Sequence, residues 1–429
     1  MAIVLAAGLG TRMRSRLPKV LHPLLGRPML AWVLDAAREA TGGRPLVVYS
    51  AATAGVREAF GDGADYALQE DPRGTGDALR AALDALPSSV REVLVISGDV
   101  PRVEASLLTQ LIDQRRLDHA AMALTVVAVY DPTGLGRVIR NEAGGVERIV
   151  EEKDATDDER ETPEINAGVY AFDVDWLRER IGSLSPSRTT GELYLTDLAA
   201  VARADGRLVA SLDVDDDGRL TGINDRAQLA QAEWDMRTEL NGALMRDGVT
   251  MRDPSTVYVD ATVEIETDVT IEPNVTLSGT TRVGEGTTIG SGSQVVDSTI
   301  GRECVVWASI VEGSEIDDGA TVGPFAHLRP GSRVGTGAEV GNFAEIKNSR
   351  LGPGVKQHHM SYLGDAEVGA GTNVGAGTIT ANYDGQRKHR TTIGERVFLG
   401  VDTMLRAPVT LGDGAKTGAG AVVTRDVPP

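Results

Sequence analysis

The sequence contains very little of several features that define large classes of protein. It has one cysteine, Cys304, so an internal disulfide is impossible, and that thiol is expected to pack as a small apolar side chain. No apolar run approaches the roughly 18 residues of a membrane-spanning helix, and no basic segment precedes the short apolar start. Neither a membrane span nor a signal peptide is therefore predicted, and the expected location is cytoplasmic.

Positive charge is also scarce. The 429 residues include 43 lysines and arginines against 62 aspartates and glutamates, a net charge of −19. This balance disfavours a nucleic-acid partner, because a phosphate backbone requires a broad cationic face. The length predicts two or three domains, and 41% apolar with 24% charged residues is typical of a globular protein. Small anionic substrates held in local basic pockets are the expected partners.

The first such pocket is predicted at the start of the chain. Residues 2–6 form an apolar run typical of a buried parallel strand, and Gly8 and Gly10 follow it directly. The glycines are followed by Arg12, Arg14, Arg16 and Lys19, and no acidic residue appears until Asp35. A strand followed by glycines and cations predicts a cradle for phosphate. The glycines alone could serve only the geometry of the turn, and the stretch matches neither the Walker nor the dinucleotide pattern.

Two further residues are candidate ligands for Mg²⁺. Asp99 follows a strand predicted over Glu92–Ser97, and ligands of open α/β sheets bind where parallel strands end. Mg²⁺ prefers hard oxygen ligands such as this carboxylate, although a turn-capping aspartate is the alternative. Asn224 follows another short strand and is either the second oxygen ligand or the N-cap of a helix over 225–245, and both roles can hold at once.

Other segments of the first half complete a pattern of alternating strands and helices. A helix is predicted to start at Pro28, and a strand over Leu46–Tyr49. A glycine turn at 74–76 opens a helix from about Asp77 to Leu86, whose free N-terminus could accept a ligand oxygen. On the residues alone, Glu151 and Glu152 are interpreted as a solvated pair at a strand end.

The second half has a six-residue period. From about Asp253, aliphatic residues recur every six positions, with one or two five-residue steps. They are Val257, Val263, Val269 and Val275, then, after an eight-residue step, Val283, Ile289 and Val295, and, after the five-residue steps, Ile310, Ile316, Val322, Leu328, Val334, Val340 and Ile346. This period predicts a hexapeptide β-helix of roughly ten triangular coils, and an aromatic content of only 4% suits its narrow interior. The predicted domains are 1–223, a helical linker over 224–246, and 247–429.

Two interruptions of the repeat are expected to be loops. The first, 352–365, contains the adjacent His358 and His359, and the second, 382–392, is rich in cations. A histidine pair could supply a general base or a metal site. Zinc is disfavoured because Cys304 is the only thiol in the chain.

Several motifs resemble known families. The GLGTRM and LPK segments at 8–13 and 17–19 resemble the signature of sugar-1-phosphate nucleotidyltransferases. With RPG at 329–331, EIKNSRLG at 345–352, HMSYLGDAE at 359–367 and GAGTITANYDG at 375–385, nearly the whole chain resembles the bacterial bifunctional N-acetylglucosamine-1-phosphate uridylyltransferase/glucosamine-1-phosphate N-acetyltransferase family. The resemblance implies a Rossmann-like α/β nucleotidyltransferase domain followed by a left-handed parallel β-helix of hexapeptide repeats, assembled as a homotrimer.

The same resemblance implies two reactions. Acetyl-CoA acetylates glucosamine-1-phosphate, and UTP then converts N-acetylglucosamine-1-phosphate to UDP-N-acetylglucosamine with release of pyrophosphate. Asp99 and Asn224 would hold Mg²⁺. The residues implied to contact UTP or the UDP-sugar are Leu5, Ala6, Ala7, Gly8, Arg12, Lys19, Gln69, Gly74, Thr75, Asp99, Gly136, Glu151, Asn166 and Asn224.

For acetyl transfer, the resemblance implies that His359 is the general base. The implied contacts of the acceptor sugar phosphate are Arg329, Lys347, Tyr362, Asn373 and Lys388. Those of acetyl-CoA are Ala376, Asn382, Tyr383, Val401 and Ala419. The chain has Val401 where the family often has serine, and family members continue beyond the position of Pro429 with a short basic tail that helps to grip coenzyme A. The alternative function is a monofunctional sugar-1-phosphate nucleotidyltransferase whose β-helix only oligomerises it.

Overall fold

The computed structural model describes residues 1–429, the whole of the sequence. The chain divides into two compact units, residues 1–232 and 233–429. None of its helices combines the length and the apolar character that crossing a membrane requires.

The first unit is built on a mixed sheet, in which β1, β4, β5 and β6 are parallel to one another and β10 is antiparallel to its neighbours. Its strands are β1 (Ala2–Leu5), β2 (Pro23–Leu24), β3 (Arg27–Pro28), β4 (Leu46–Tyr49), β5 (Asp65–Leu68), β6 (Glu92–Ser97), β7 (Met122–Ala128), β8 (Arg137–Arg140), β9 (Val146–Val150), β10 (Glu164–Asp173) and β11 (Val209–Val214). The main order is β11-β7-β10-β6-β1-β4-β5, with β8 and β9 attached beside β10 and β2 paired only with β3. The predicted strands at Leu46–Tyr49 and Glu92–Ser97 are confirmed, and the first strand ends at Leu5.

Helices pack on this sheet, and one long helix follows it in the chain. They are α1 (Met29–Thr41), α2 (Gly55–Phe60), α3 (Thr75–Ala85), α4 (Ala105–Leu117), α5 (Asp157–Arg160), α6 (Val174–Arg180), α7 (Leu198–Ala204) and α8 (Arg226–Arg246). Strand β1 lies between β4 and β6 and is parallel to both. The carboxyl ends of these central strands therefore deliver the residues that follow them to one edge of the sheet.

The second unit is a parallel β-helix with three faces. The first face contains Thr250–Met251, Thr270–Ile271, Thr288–Ile289, Val305–Val306, Thr321–Val322, the beginnings of Glu339–Lys347 and Lys356–Gly364, and Asn373–Val374. The second contains Tyr258–Val259, Thr276–Ser278, Gln294–Val296, Ile310–Glu312, His327–Arg329, the ends of the same two long strands, Ile379–Ala381, Met404–Arg406 and Val422–Val423. The third contains Glu264–Ile265, Arg282–Val283, Thr299–Ile300, Glu315–Ile316, Arg333–Val334, Arg350–Leu351, Ala366–Val368, Thr391–Ile393 and Val409–Leu411.

The ten strands of the second face agree with the predicted number of coils. Cys304 is fully buried in the aliphatic core, as expected. One predicted core position is wrong: Ile310 is 40% exposed, and its neighbour Val311 is fully buried. The spacing alone could not separate them, because a five-residue step occurs here and both residues are aliphatic.

The predicted loop at 352–365 is also wrong. Residues Lys356–Gly364 form a nine-residue strand that pairs with Glu339–Lys347 and runs continuously from the first face to the second. The six-residue pattern is not visible here because the inward residue is Gln357 and not an aliphatic residue. Gln357 is fully buried, and its Nε2 donates to Ser361 Oγ at 2.9 Å. The second interruption, by contrast, is an excursion between the strands that end at Ala381 and begin at Thr391.

The corrected register can be tested by a matched pair of substitutions. Val311→Ala removes fully buried methyl groups, and we expect it to lower the free energy of unfolding of the β-helix by about 2 kcal/mol. Ile310→Ala removes more atoms from a partly exposed position and should cost less than about 1 kcal/mol. Urea unfolding of the full chain, followed by circular dichroism, measures both values. A larger loss of unfolding free energy for Ile310→Ala would mean that Ile310 is the inward residue, as the spacing predicted.

Candidate active sites

The phosphate loop is held open by glycine. Ala6 N–H donates to Val48 O at 2.8 Å, which fixes the start of the loop at the edge of the sheet. Gly10 has φ 58°, and a Cβ added there would lie 2.5 Å from Lys19 Cβ, so only glycine lets the lysine stem pass. At Gly8 an added Cβ would meet no atom within 4 Å, which leaves that part of the loop open to a ligand.

Lys19, Asp99 and Asn224 meet at the end of this loop. The Lys19 ammonium forms an ion pair with Asp99 Oδ2 and lies 3.2 Å from Asn224 Oδ1. Arg12 Nη2 donates to the same Asn224 oxygen at 2.8 Å. The backbone sets this meeting point, because Ile223 N–H donates to Asp99 O at 2.8 Å. The structure therefore brings together four predicted site residues from three distant segments.

Asn224 is not the residue whose side chain caps the following helix. Helix α8 begins at Arg226, and Asp225 Oδ1 accepts hydrogen bonds from the N–H groups of Ala227 and Gln228, each at 2.9 Å. The capping role that the sequence left open for Asn224 thus belongs to Asp225. The Asn224 side-chain oxygen is free of capping and faces the two cations instead.

The oxygen atoms of Asp99 and Asn224 fit a magnesium site. Both are hard ligands, and they already converge on a single positive charge. Within the chain, no group of three or more histidine, cysteine, aspartate or glutamate side chains converges as a metal site. The remaining positions around an ion here would therefore be filled by substrate phosphate and water, which is the usual arrangement for Mg²⁺.

The second glycine turn is held by hydrogen bonds and is partly covered by another segment of the chain. Gln69 is buried, and its Nε2 donates to Gly74 O at 3.1 Å and to Asp77 Oδ2 at 2.9 Å. Helix α3 begins at Thr75, not at Asp77, and Gly76 N–H already donates to Leu193 O at 2.8 Å. The prediction of a free helix N-terminus was wrong, because the segment around Leu193 covers it.

Glu151 lies in a partly buried pocket and is not a solvated partner of Glu152. Thr196 Oγ1 donates to Glu151 Oε1 at 2.9 Å, and Gly136 lies beside the carboxylate, close enough that an added Cβ would be 3.5 Å from Oε2. Burial raises the pKa of Glu151 above its usual range, and the nearby acid Asp197 adds to the rise. Glu152 is partly buried and forms an ion pair with the buried Arg137, so the prediction of a solvated pair was wrong for both residues.

Asn166 lies at an irregularity of strand β10. The pairing of β10 with β7 shifts register between Asn166 and Tyr170. The Asn166 side chain bridges this shift, since Nδ2 donates to Tyr170 Oη at 2.5 Å and Oδ1 accepts from Gly168 N–H at 3.2 Å. Thr196 was missed by sequence reasoning, because a threonine 45 positions from Glu151 carries no motif of its own.

In the β-helix the two adjacent histidines have different surroundings. His358 Nε2 lies 2.7 Å from Glu339 Oε2, so its ring is held by a carboxylate. His359 is exposed, and its ring lies edge-on to that of His358, with the ring centroids 6.0 Å apart. Of the two, His359 is the more exposed, and only His358 is held by a carboxylate.

A cluster of cations lies near this strand. Contact with the Lys388 ammonium lowers the pKa of Lys347 below its usual range, and the charge of Arg329 contributes in the same direction. Arg329 is also paired with Glu345, at 2.9 Å. Tyr362 lies on the same side, because its hydroxyl would be 2.3 Å from a Cβ added at Gly364. Cations this close repel one another, and an anion bound between them would relieve that repulsion.

The excursion at 382–390 is anchored at both ends. Asn382 is buried, and its Nδ2 donates to Asp365 Oδ2 at 2.6 Å. Asp384 accepts hydrogen bonds from the N–H groups of Arg387 and Gln386 and pairs with His389 Nε2 at 2.7 Å. These contacts hold the pKa of Asp384 well below its usual range. The excursion is thus an ordered turn.

Three predicted acetyl-CoA residues lie in successive coils at one corner. Asp402 N–H donates to Ala376 O at 2.7 Å, and Gly420 N–H donates to Val401 O at 2.8 Å. Ala376, Val401 and Ala419 are therefore stacked, and Val401 is 49% exposed. Asn373 lies on the adjoining first face, paired with Lys356, and Tyr383 is exposed on the excursion.

Comparison with known families defines the class of protein. Residues 2–144 match the model of the MobA-like NTP transferase domain, and residues 390–425 match the bacterial transferase hexapeptide model of six repeats. The chain is a transferase in which an α/β nucleotidyltransferase fold precedes a left-handed parallel β-helix of hexapeptide repeats.

Full-length relatives identify the family. Bifunctional protein GlmU of Pelobacter propionicus is 45% identical over 430 residues, which cover 100% of this chain and 94% of that protein. The protein of the same name from Mycolicibacterium paratuberculosis is 44% identical over 435 residues, 100% of this chain and 89% of the relative. The one from Trichlorobacter lovleyi is 43% identical over 431 residues, again 100% and 94%.

The chain therefore belongs to the bifunctional GlmU family. It is an enzyme with both N-acetylglucosamine-1-phosphate uridylyltransferase and glucosamine-1-phosphate N-acetyltransferase activity. The monofunctional alternative is set aside.

The burial of Glu151 predicts a pH-dependent stability. A carboxyl group whose pKa is raised on folding favours the folded state at low pH and opposes it once it ionises. Glu151→Gln removes this ionisation, so the variant should gain stability relative to the native chain as pH rises above about 4.5, the ordinary value for glutamate. Chemical unfolding of both proteins across pH 4 to 8 measures the difference. A difference that is constant with pH would contradict the buried position.

Proposed function

We propose that uridylyl transfer takes place where Lys19, Asp99 and Asn224 meet, within residues 1–223. The observation that carries this proposal is the convergence of two hard oxygens and two cations at the end of a glycine loop. Lys19 and Arg12 hold phosphate charge, and the open backbone of residues 5–8 receives the nucleotide. Gln69, Gly74 and Thr75 form the wall that meets uracil.

The sugar is held on the other side of this loop. The Glu151 carboxylate is positioned by Thr196 to accept hydrogen bonds from sugar hydroxyls, and Asn166 offers its amide to the acetamido group. Gly136 leaves room for the ring because it has no side chain beside Glu151. The bound sugar phosphate oxygen attacks the α-phosphorus of UTP, and pyrophosphate leaves.

This reaction needs no protein nucleophile. The main requirements are alignment of the two phosphates and neutralisation of their charge. Mg²⁺ held by Asp99 and Asn224 would supply part of that neutralisation when it is bound. The chain supplies the rest through Lys19 and Arg12.

Acetyl transfer is assigned to residues 247–429, with 224–246 as the connecting helix. His359 takes a proton from the amine of glucosamine-1-phosphate as the amine attacks the thioester carbon, and coenzyme A leaves as the thiol. His359 suits this role better than His358, whose ring is already bound to Glu339. The acceptor phosphate binds the cations Arg329, Lys347 and Lys388, with Tyr362 and Asn373 on the adjoining strands.

Acetyl-CoA would lie along the corner formed by Ala376, Val401 and Ala419. The small side chains at 376 and 419 leave a shallow surface, and the stacked turns present backbone groups to the pantetheine arm. Asn382 and Tyr383 lie at the beginning of the excursion that carries Lys388, so they approach the acetyl group.

A homotrimer in the cytoplasm completes the proposal. The β-helix exposes an apolar corner in successive coils, in which Trp307, Phe325, Phe343 and Met360 are each 59% exposed or more. The rings of Phe325 and Phe343 stack with centroids 5.5 Å apart, so they form a continuous surface. A patch of this kind favours association, and closed three-fold symmetry buries it in every copy.

Because the two reactions are assigned to separate sites, a substitution at one site should reduce one activity and leave the other. Asp99→Ala should reduce uridylyl transfer by at least about a thousandfold, because it removes a metal ligand and the partner of Lys19. His359→Ala should reduce acetyl transfer by about a hundredfold or more. Pyrophosphate release from UTP and thiol release from acetyl-CoA measure the two rates independently.

Matched controls accompany these variants. Asp215→Ala removes an exposed acid from the same unit, and His358→Ala removes the neighbouring ring. Each control should retain more of the corresponding rate than its partner variant. If either Asp99→Ala or His359→Ala lowered both rates together, the assignment of the reactions to separate sites would be wrong.

A further inference from the structure

The side chain of Lys19 occupies the position that a metal ion needs. Its ammonium is paired with Asp99 Oδ2 and lies 3.2 Å from Asn224 Oδ1, and these are the same two oxygens that fit Mg²⁺. The lysine side chain is only 13% exposed, so it is enclosed between them rather than resting on the surface. A divalent ion and this ammonium cannot both be bound to the same two oxygens, because their charges repel at contact distance.

Lys19 can move its ammonium away from Asp99 only by a rotation at the end of its side chain. A Cβ at Gly10 would lie 2.5, 3.3 and 3.4 Å from Cβ, Cγ and Cδ of Lys19, which shows how closely the loop backbone packs on the stem. These three nearest atoms all belong to the stem of the side chain and not to its ammonium group. A swing of Nζ away from Asp99 towards the open loop therefore needs no rearrangement of the backbone around Gly10.

We propose that Lys19 is an internal counter-ion that blocks the metal site until an anionic substrate draws its ammonium away. This inference rests on the proposed magnesium site. A phosphate in the loop offers Lys19 a new negative partner, and Asp99 and Asn224 are then released to the metal. Metal and nucleotide consequently assist each other's binding, and by linkage the effect is reciprocal. Lys19 thus makes metal binding conditional on substrate.

Arg12 does not have the same role. It contacts Asn224, at 2.8 Å, but not Asp99, and its side chain is exposed, so it can turn away from Asn224 into solvent without leaving an enclosed position. Arg14 is also exposed and follows in the same loop, but its side chain contacts neither oxygen. It therefore provides a matched control in which one positive charge is removed without opening the site.

The test is direct binding of Mn²⁺ to the full chain without nucleotide, measured from the electron paramagnetic resonance signal of the free ion. Lys19→Met should bind Mn²⁺ about tenfold more tightly than the native chain, within the usual range for coupling between sites. Arg14→Met should change the affinity by less than about threefold, the effect of a screened loop charge. Lys19→Arg keeps the charge and should bind as weakly as the native chain.

Adding UTP should tighten Mn²⁺ binding to the native chain more than to Lys19→Met, because the variant has no lysine to displace. The inference is overturned if Lys19→Met binds Mn²⁺ no more tightly than Arg14→Met. The magnesium site itself is tested separately with Asp99→Asn. If this variant binds Mn²⁺ in the presence of UTP as tightly as the native chain does, Asp99 is not a metal ligand. Lys19→Gln, which is also uncharged, provides the same comparison if Lys19→Met does not fold.

Discussion

The ion pair between Lys19 and Asp99 organises the first unit. It joins the end of the phosphate loop to the end of strand β6, and Asn224 adds the segment that leads into helix α8. Gly10 is required because the lysine stem passes directly against it. Lys19, Asp99 and Asn224 therefore depend on one another for their positions, although Lys19 and Asn224 are 205 positions apart in the sequence.

The second unit is governed by a different constraint, the need to bury one side chain for each strand of a narrow helix. Where that side chain is aliphatic, the coils are regular. Near His359 the inward side chain is Gln357, and the polar residue is accommodated by its hydrogen bond to Ser361. The same strand then presents His359 outward, so the acetyl transfer that we propose there would be built on β structure rather than on a loop.

Much of the architecture could be predicted from the sequence, because its signals are local. The strands at Leu46–Tyr49 and Glu92–Ser97 are short apolar runs with clear ends, and the number of coils follows from the period. The prediction failed where one sequence pattern fits two structures. Ile310 and Val311 are both aliphatic, so either could be the inward residue, and Gln357 is a polar residue at an inward position. The contacts of Thr196 with Glu151 and of Leu193 with Gly76 join distant segments, so no local pattern could have predicted them.

The central claim is that Lys19 and a metal ion alternate at Asp99. A crystal structure of the chain with Mg²⁺ and UDP-N-acetylglucosamine tests it most directly. The account predicts a metal bound to Asp99 and Asn224, with the Lys19 ammonium moved onto a phosphate oxygen. A structure in which Lys19 remains paired with Asp99 while the metal binds elsewhere would contradict it.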